Sequence, residues 1–285
     1  MPSLLSIATT LFALVSSAGA TPTGPVLLTG ATGRTGIETY KTLKAAGLTV
    51  RALVRNATKA KKVLECSACD ESEGIFVGDI TEPESMAAAM EGTSALVITT
   101  GPAVKCKLGP IGCSYLPGGT PKEIVWEGLK RQVTAFANST GPALSERHVV
   151  LLSSGLTTKP DNFLDRIGNG KVTFYSLNGE SFLMSSGVPF TIVQACGLGN
   201  GEGGKSHLVV AHDDQLSVTD TINRADVARV LAAAAASPAQ SNGLRFNLCA
   251  SFFGKKTEDV GALFQEAMYD WDLRKGSSAD QRLVV

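Results

Sequence analysis

Apolar positions along this chain follow two alternating rhythms. Apolar-rich runs occupy residues 26–29, 49–55, 74–80, 95–101, 148–155, 188–193 and 244–248, and most of them end in glycine, small or charged residues. Runs that are apolar on both faces suit strands covered on both sides. Between them, helical spacing of apolar residues predicts helices over 37–46, 56–65, 83–90, 122–139, 174–186, 223–236 and 258–269, with 207–210 as a further short strand. Asn56 reads as an N-cap, Pro83 falls near a first turn, and Gly187 ends its helix. Trp126, Leu129, Val133 and Phe136 form a core-facing stripe. Two stretches break the rhythm: residues 102–121, rich in Gly, Pro and Cys, read as a long loop, and 197–205 as a mobile glycine-rich segment above a ligand. Strand and helix alternate without internal repeat or linker. That pattern demands right-handed crossovers, so the expected fold is α/β: a single Rossmann-like, doubly wound, mainly parallel sheet with helices on both faces, spanning 25–285.

The first run leads into the stretch with the most chemistry, Thr29-Gly30-Ala31-Thr32-Gly33-Arg34-Thr35-Gly36. It follows a strand and opens a helix, the context in which glycines cradle a pyrophosphate and the helix N-terminus offers free N–H groups. Arg55 ends the second strand, about 20 residues past the glycines, where an acid would accept bonds from a ribose 2′-hydroxyl and an arginine suits a 2′-phosphate. Arg55 therefore points to NADP over NAD, with Arg34 as a second contact; the alternative is a solvated strand-end arginine. Asp79 and Ile80 end the third strand, Thr99, Thr100 and Gly101 the fourth, and Ser153 the fifth. All converge on the carboxyl edge of the sheet, where such folds bind ligands. His148 begins its strand, away from that edge, and receives no catalytic role. His207, His212, Asp213 and Asp214 cluster in sequence, but their turn reads as a solvated loop rather than a metal site.

Composition narrows the picture. Lys+Arg and Asp+Glu are both 26 in 285 residues, so the net charge is +0 and no basic excess marks a nucleic-acid footprint. Residues 1–24 carry no charge, are apolar from Leu4 to Val15, and offer Ala18-Gly19-Ala20 as a cleavage site. This reads as a signal peptide, too short for a stable membrane span, that directs the chain into the secretory pathway, for secretion or an organelle such as a plastid reached through the endoplasmic reticulum. A disordered extension or a misassigned start is the alternative. Six cysteines permit bridges Cys66–Cys69 and Cys106–Cys113, or free thiols; those two pairs lie at opposite edges of the expected sheet, which argues against one shared zinc site.

The chain resembles the atypical short-chain dehydrogenase/reductase superfamily, in particular its NmrA-like branch of plants, algae and cyanobacteria. The resemblance rests on Thr29 to Gly36, on Val50-Arg51-Ala52-Leu53-Val54-Arg55, on Gly78-Asp79-Ile80, on residues 159–170 and 186–193, and on Ile222-Asn223-Arg224-Ala225-Asp226-Val227-Ala228. It implies NADP binding, with Asp79 bonding the adenine. It also implies a Tyr-x-x-x-Lys pair, in which tyrosine protonates a carbonyl and lysine lowers its pKa. Here the pair is broken: Tyr175 is followed by Ser176, Leu177, Asn178 and Gly179. Aligning Glu180 with the branch's glutamate puts Tyr175 where the branch has tryptophan and Ser176 where it has lysine. Gln194-Ala195-Cys196 stands in place of Arg-Pro-Gly or His-Pro-Gly. The resulting expectation is an NADP-dependent oxidoreductase acting on a small carbonyl or quinone-like compound, with Tyr175 or Ser153 as proton donor. The alternative is a non-catalytic NADP-binding redox sensor, regulator or scaffold. Substrate and oligomeric state are not legible in the sequence.

Overall fold

A computed structural model describes residues 22–107, 112–216 and 220–269. The signal-like stretch up to residue 21 lies outside the described residues. Strand β1 (Val26–Thr29) is wholly buried and runs through the glycine turn into α1 (Arg34–Ala45), which returns across the sheet to β2 (Val50–Val54). Helix α2 (Ala57–Val63) is capped as expected, the Asn56 side chain accepting the Lys59 N–H at 2.8 Å, and precedes β3 (Ile75–Val77). The segment expected as one helix over 83–90 starts as a 3-10 turn, Pro83–Met86, before α3 (Ala87–Met90) and β4 (Ala95–Ile98). The expected loop holds a short antiparallel ribbon of β5 (Val104–Lys105) and β6 (Ser114–Tyr115), too brief to leave a period in the sequence. The long helix is present as a π-helical opening, Lys122–Gly128, continued by α4 (Leu129–Asn138).

The second half begins with β7 (His148–Ser154), followed by α5 (Phe163–Arg166) and α6 (Val172–Ser185), beyond which Gly187 turns the chain at a φ of 78°. Then come β8 (Phe190–Ala195), β9 (Gly197–Gly199), β10 (His207–Ala211), β11 (Thr221–Asn223), α7 (Arg224–Ala236), α8 (Pro238–Ser241) and β12 (Leu244–Ser251). Helix α9 (Ala262–Glu266) is shorter than the expected 258–269, because the Asp259 carboxylate takes the Gly261 N–H at 2.8 Å and the helix starts after it.

The strand order is β3-β2-β1-β4-β7-β8-β12, parallel throughout, with β11 and β10 antiparallel to β12 and β9 parallel to β11. The order reverses between β1 and β4, so the carboxyl ends there open a crevice. Alternation sends Val26 and Leu28 to one core with α1, α7 and α9, and Leu27 to the other with α3, α4 and α6. All six cysteines are paired. Cys66–Cys69 and Cys106–Cys113 are local, whereas Cys196–Cys249 joins the end of β8 to its neighbour β12 across 53 positions.

Candidate active site

The glycine turn is fixed by contacts that no side chain could share. Gly30 takes a φ of 75° and a Cβ there would sit 2.8 Å from the Thr100 nitrogen; a Cβ on Gly36 would collide with the Gly30 carbonyl oxygen. The turn closes through the Gly33 N–H to the Gly30 carbonyl at 2.8 Å. Helix α1 has Gly33 as its N-cap, with no side-chain cap and no acid in its first turn. Its first N–H groups therefore face the crevice unclaimed, with the positive end of the helix dipole behind them. Those vacant donors suit a pyrophosphate, and the crevice fits a dinucleotide on both sides of them.

On the adenosine side, a cavity of about 170 Å³ is lined by Gly30, Thr32, Gly33, Arg55, Ile80 and Thr99 to Gly101. Lys59, which sequence reasoning passed over, lines it beside Arg55; the signal was its place one turn into the helix that Arg55 leads into. Arg34 does not line this cavity. Its position at the start of α1 turns it to the opposite side. Asp79 uses one carboxylate oxygen to accept the Thr81 N–H at 2.9 Å and the Thr81 hydroxyl at 2.8 Å. That Asx-type turn shapes the Gly78–Ile80 wall.

On the other side, a cavity of about 450 Å³ is lined by Gly33, Arg34 and Thr35, the end of β4, Ser153, Ser154 and Ser176. It runs into a second, of about 310 Å³, the two sharing Ser153, Ser154, Leu164, Leu198 and Arg224. Beneath the floor, fully buried Gln132 accepts the Thr29 hydroxyl at 2.6 Å and donates to the Gly128 carbonyl at 3.0 Å, tying β1 to the α4 helix. A glutamine on the core face of that helix was a readable but unread signal.

The structure separates the two candidate proton donors. Tyr175 lines neither of these cavities; its ring packs edge-on against Phe174 at 5.2 Å. One residue further on, Ser176 faces the cavity, its hydroxyl donating to the Val172 carbonyl at 2.8 Å. Where a Tyr-x-x-x-Lys pair would put lysine, Gly179 packs so closely that a Cβ would lie 2.7 Å from the Val125 carbonyl oxygen. No side chain fits there unless α6 moves. Ser153, by contrast, opens into both cavities, and its hydroxyl donates to the Glu180 carboxylate behind it.

Glu180 is completely buried and anchors a polar network absent from the sequence reading. It accepts Gln194 Nε2 at 3.1 Å on each oxygen and Arg245 Nε at 2.9 Å. Burial pushes its carboxyl above the ordinary range, against the opposing pull of Arg245, Ser153 and Gln194. Gln194 passes the network to Asn247 at 3.0 Å, and Asn247 to Asp214 at 3.0 Å. The loop carrying Asp214 is thus not simply solvated. Burial raises the Asp214 carboxyl, but bonds from Thr158, Leu156 and Asn247 outweigh it and bring it below its usual value. Two residues before it, His212 stacks on Tyr269 at 3.9 Å. The glycine-rich segment is also held: Asn223 accepts the Gly201 N–H at 2.9 Å, Asp226 the Gly204 N–H at 2.7 Å, and Arg224 Nη1 donates to Leu198, Gly199 and Asn200.

Comparison with known proteins agrees with this geometry. Residues 30–238 match the model of a family described as NAD(P)H-binding. The chain belongs to that family. It is 33% identical over 270 residues to sanguinarine reductase of Eschscholzia californica, covering 85% of this chain and 95% of that one. It is 34% identical over 264 residues to a chloroplastic protein of Arabidopsis thaliana, covering 88% and 78%. Among solved structures, a Bacillus halodurans protein assigned to the NAD-dependent epimerases/dehydratases superposes with a TM-score of 0.65 at 21% identity over 85% of this chain and 99% of its own. An oxidoreductase of Lactococcus lactis gives 0.63 at 16% identity over 86% and 99%. These two show the fold, a Rossmann-like α/β sheet. Among the described residues no helix is long and apolar enough to cross a membrane.

Proposed function

We propose that the protein is an NADPH-dependent reductase of a small carbonyl or quinone-like compound, with Ser153 as the proton donor. The observation that carries this reading is the Ser153 hydroxyl, open to both cavities and backed by a buried carboxyl that burial keeps ready to hold a proton. NADPH, when bound along the crevice, supplies the hydride. The first-turn N–H groups of α1 would hold the pyrophosphate, Arg55 and Lys59 the 2′-phosphate, and Ser153 the reacting carbonyl oxygen. For turnover Glu180 first takes up a proton, which its raised pKa favours, and its O–H then donates to Ser153. As the substrate oxygen gains charge, Ser153 gives it the hydroxyl proton and takes the proton of Glu180, leaving the carboxylate paired with Arg245. Arg245 and Gln194 fix the carboxyl, which makes Glu180 a positioning residue and proton store rather than a substrate contact. The sanguinarine reductase likeness supports reductase chemistry without fixing the substrate.

The test is NADPH consumption over a panel of carbonyls and quinones, with Ser153→Ala beside the wild type. The expected loss in kcat is about 100-fold or more, the usual weight of a general acid. Full activity in Ser153→Ala removes the serine from the mechanism. A second reading, an NADP-binding sensor without turnover, is favoured by Gly179 and by Tyr175 facing away from both cavities. It predicts NADPH-induced thermal stabilisation with no oxidation across the panel. We further propose that residues 1–24 are a removable leader ahead of one domain over 25–285, which a fluorescent fusion of the first 30 residues tests by its destination.

A further inference from the structure

Two arginines face the joined cavities without a partner of opposite charge. Arg34 and Arg224 line the same space, and among the described residues neither has a carboxylate within 4.0 Å. Glu38 and Glu202 line an adjoining cavity with both arginines but lie beyond 4.0 Å of either; the charges that face the joined cavities are engaged. Arg245 is paired with Glu180, and Asp214, 4% exposed, is held by the Leu156 and Thr158 N–H groups, the Thr158 hydroxyl and Asn247. Two guanidiniums sharing a partly desolvated space repel, which is a cost unless an anion joins them.

Their positions differ. Arg34 opens α1, so an anion on the first-turn N–H groups, the pyrophosphate, neutralises it. Arg224 opens α7 and lies where the two cavities merge, beside Ser153, Ser154, Leu164 and Leu198. Only 8% of Arg224 is exposed, and it is anchored on one side. Its Nη1 donates to the Leu198 and Gly199 carbonyls, each at 3.0 Å, and to Asn200 Oδ1 at 2.6 Å. Nη2 and Nε have no protein acceptor among the described residues. A guanidinium keeps its charge in proteins and offers those two nitrogens as a fork matched to two oxygens. The surrounding walls, Leu156, Phe163, Leu164 and Leu198, are apolar.

We propose that Arg224 is the specificity-determining residue of the second cavity and selects a substrate in which a flat apolar body carries a carboxylate or similar acidic group. The carboxylate takes the free Nη2 and Nε donors while the apolar body lies between Leu164 and Leu198, next to Ser153. This rests on the reductase reading for the word substrate, but the binding itself can be measured without turnover.

The experiment is calorimetric titration of the full chain, saturated with NADP⁺, with 2-naphthoate and with neutral 2-naphthamide of the same shape. The expected result is a preference for naphthoate of about tenfold or more, the fold-change of one charge-assisted pair, which added salt weakens. Arg224→Gln should bring the two ligands to parity and leave NADP⁺ affinity unchanged. Arg224→Lys, which keeps the charge but loses the fork, should retain part of the preference. Because Nη1 also holds the glycine-rich segment, the wild-type preference and its salt dependence stand as readouts even where a variant folds poorly. Equal binding of the two ligands by the wild type, or binding of neither, overturns the proposal. So does an Arg224→Gln variant that loses NADP⁺ affinity while keeping the naphthoate preference, because the arginine would then serve the cofactor's phosphates. If no compound oxidises NADPH yet naphthoate binds through Arg224, the reductase reading fails and this assignment survives.

Discussion

Replacing Arg55 by alanine removes one of two cations from the adenosine-side cavity without touching the glycine turn. Arg55 follows the last residue of β2, is exposed, and has no ion-pair partner among the described residues, so its charge is free for a ligand. Lys59 lines the same cavity one turn into α2. A hydrogen bond to a charged group contributes about 1.5–3 kcal/mol, and exposure places this one at the lower end. At about 1.4 kcal/mol per factor of ten, Arg55→Ala should weaken NADPH binding about tenfold. Arg55→Glu adds repulsion and should weaken it by about a further tenfold. Lys59→Ala should cost less, its ammonium being a point charge that cannot fork onto two oxygens. NADH lacks the 2′-phosphate, so its affinity should stay unchanged in all three variants. The assay is fluorescence titration of both nucleotides at one fixed ionic strength, repeated at higher salt, where the NADPH advantage shrinks. The result that refutes the reasoning is a parallel loss of NADH and NADPH binding, which would mean that Arg55 supports the turn rather than reading the phosphate.

Three further outcomes follow from the packing. His148, buried with Nε2 at 2.9 Å from the Thr191 hydroxyl, is held by desolvation at a pKa of about 4 against 6.5 when unfolded. Its folded form is neutral, so stability is full above the unfolded value and falls as pH drops towards 4, by about 1.4 kcal/mol per unit and about 3 kcal/mol in all; denaturant melts of His148→Leu should lack this slope, and an unchanged slope refutes the assignment. Gly36→Ala should destabilise by about 1–3 kcal/mol and weaken both nucleotides, since its Cβ meets the Gly30 carbonyl; a normal melting temperature would show that the turn can yield. Glu180→Leu should cost about 3 kcal/mol, the lower end for a broken buried pair because Arg245 keeps the exposed Asp213 carboxylate at 3.6 Å, and Glu180→Leu with Arg245→Met should recover most of it; a double variant no more stable than the single one would dissolve the idea of a pair.

The glycine turn and the cavity beside it were legible because consecutive residues build them. One strand, one turn and one helix N-terminus form the crevice wall, and Arg55, just past the next strand, lines the cavity. Each lies within a short span whose period and glycines are visible in the sequence. Doubly buried strands such as Val26–Thr29 are also self-announcing, since no amphipathic pattern competes with them. Where reading failed, the missing term was helical phase or long-range pairing. Tyr175 and Ser176 are adjacent in sequence but about 100° apart around α6. With Val172 and Ser176 lining the cavity, the tyrosine turns away from it. The Cys196–Cys249 bridge depends on β12 lying beside β8, which no cysteine spacing reveals.

The larger cavities on the other side of the turn are assembled on a different principle. Ser153 comes from β7, Glu180 from α6, Gln194 from β8, Arg245 and Asn247 from β12, and Asp214 from the loop after β10. They meet only because parallel neighbours place the ends of β7, β8 and β12 side by side. In such an arrangement the donor to the cavity need not come from the helix that carries tyrosine and lysine in related reductases. Under the proposed mechanism, a buried carboxyl fixed by an arginine and a glutamine from the sheet serves the strand-end serine as a proton reservoir. Gly179, four residues past Tyr175, packs against the Val125 carbonyl and offers the cavity no side chain. Glu180 from α6 and Arg245 from β12 thus meet behind Ser153, and under the proposed mechanism their charge reaches the cavity through that hydroxyl.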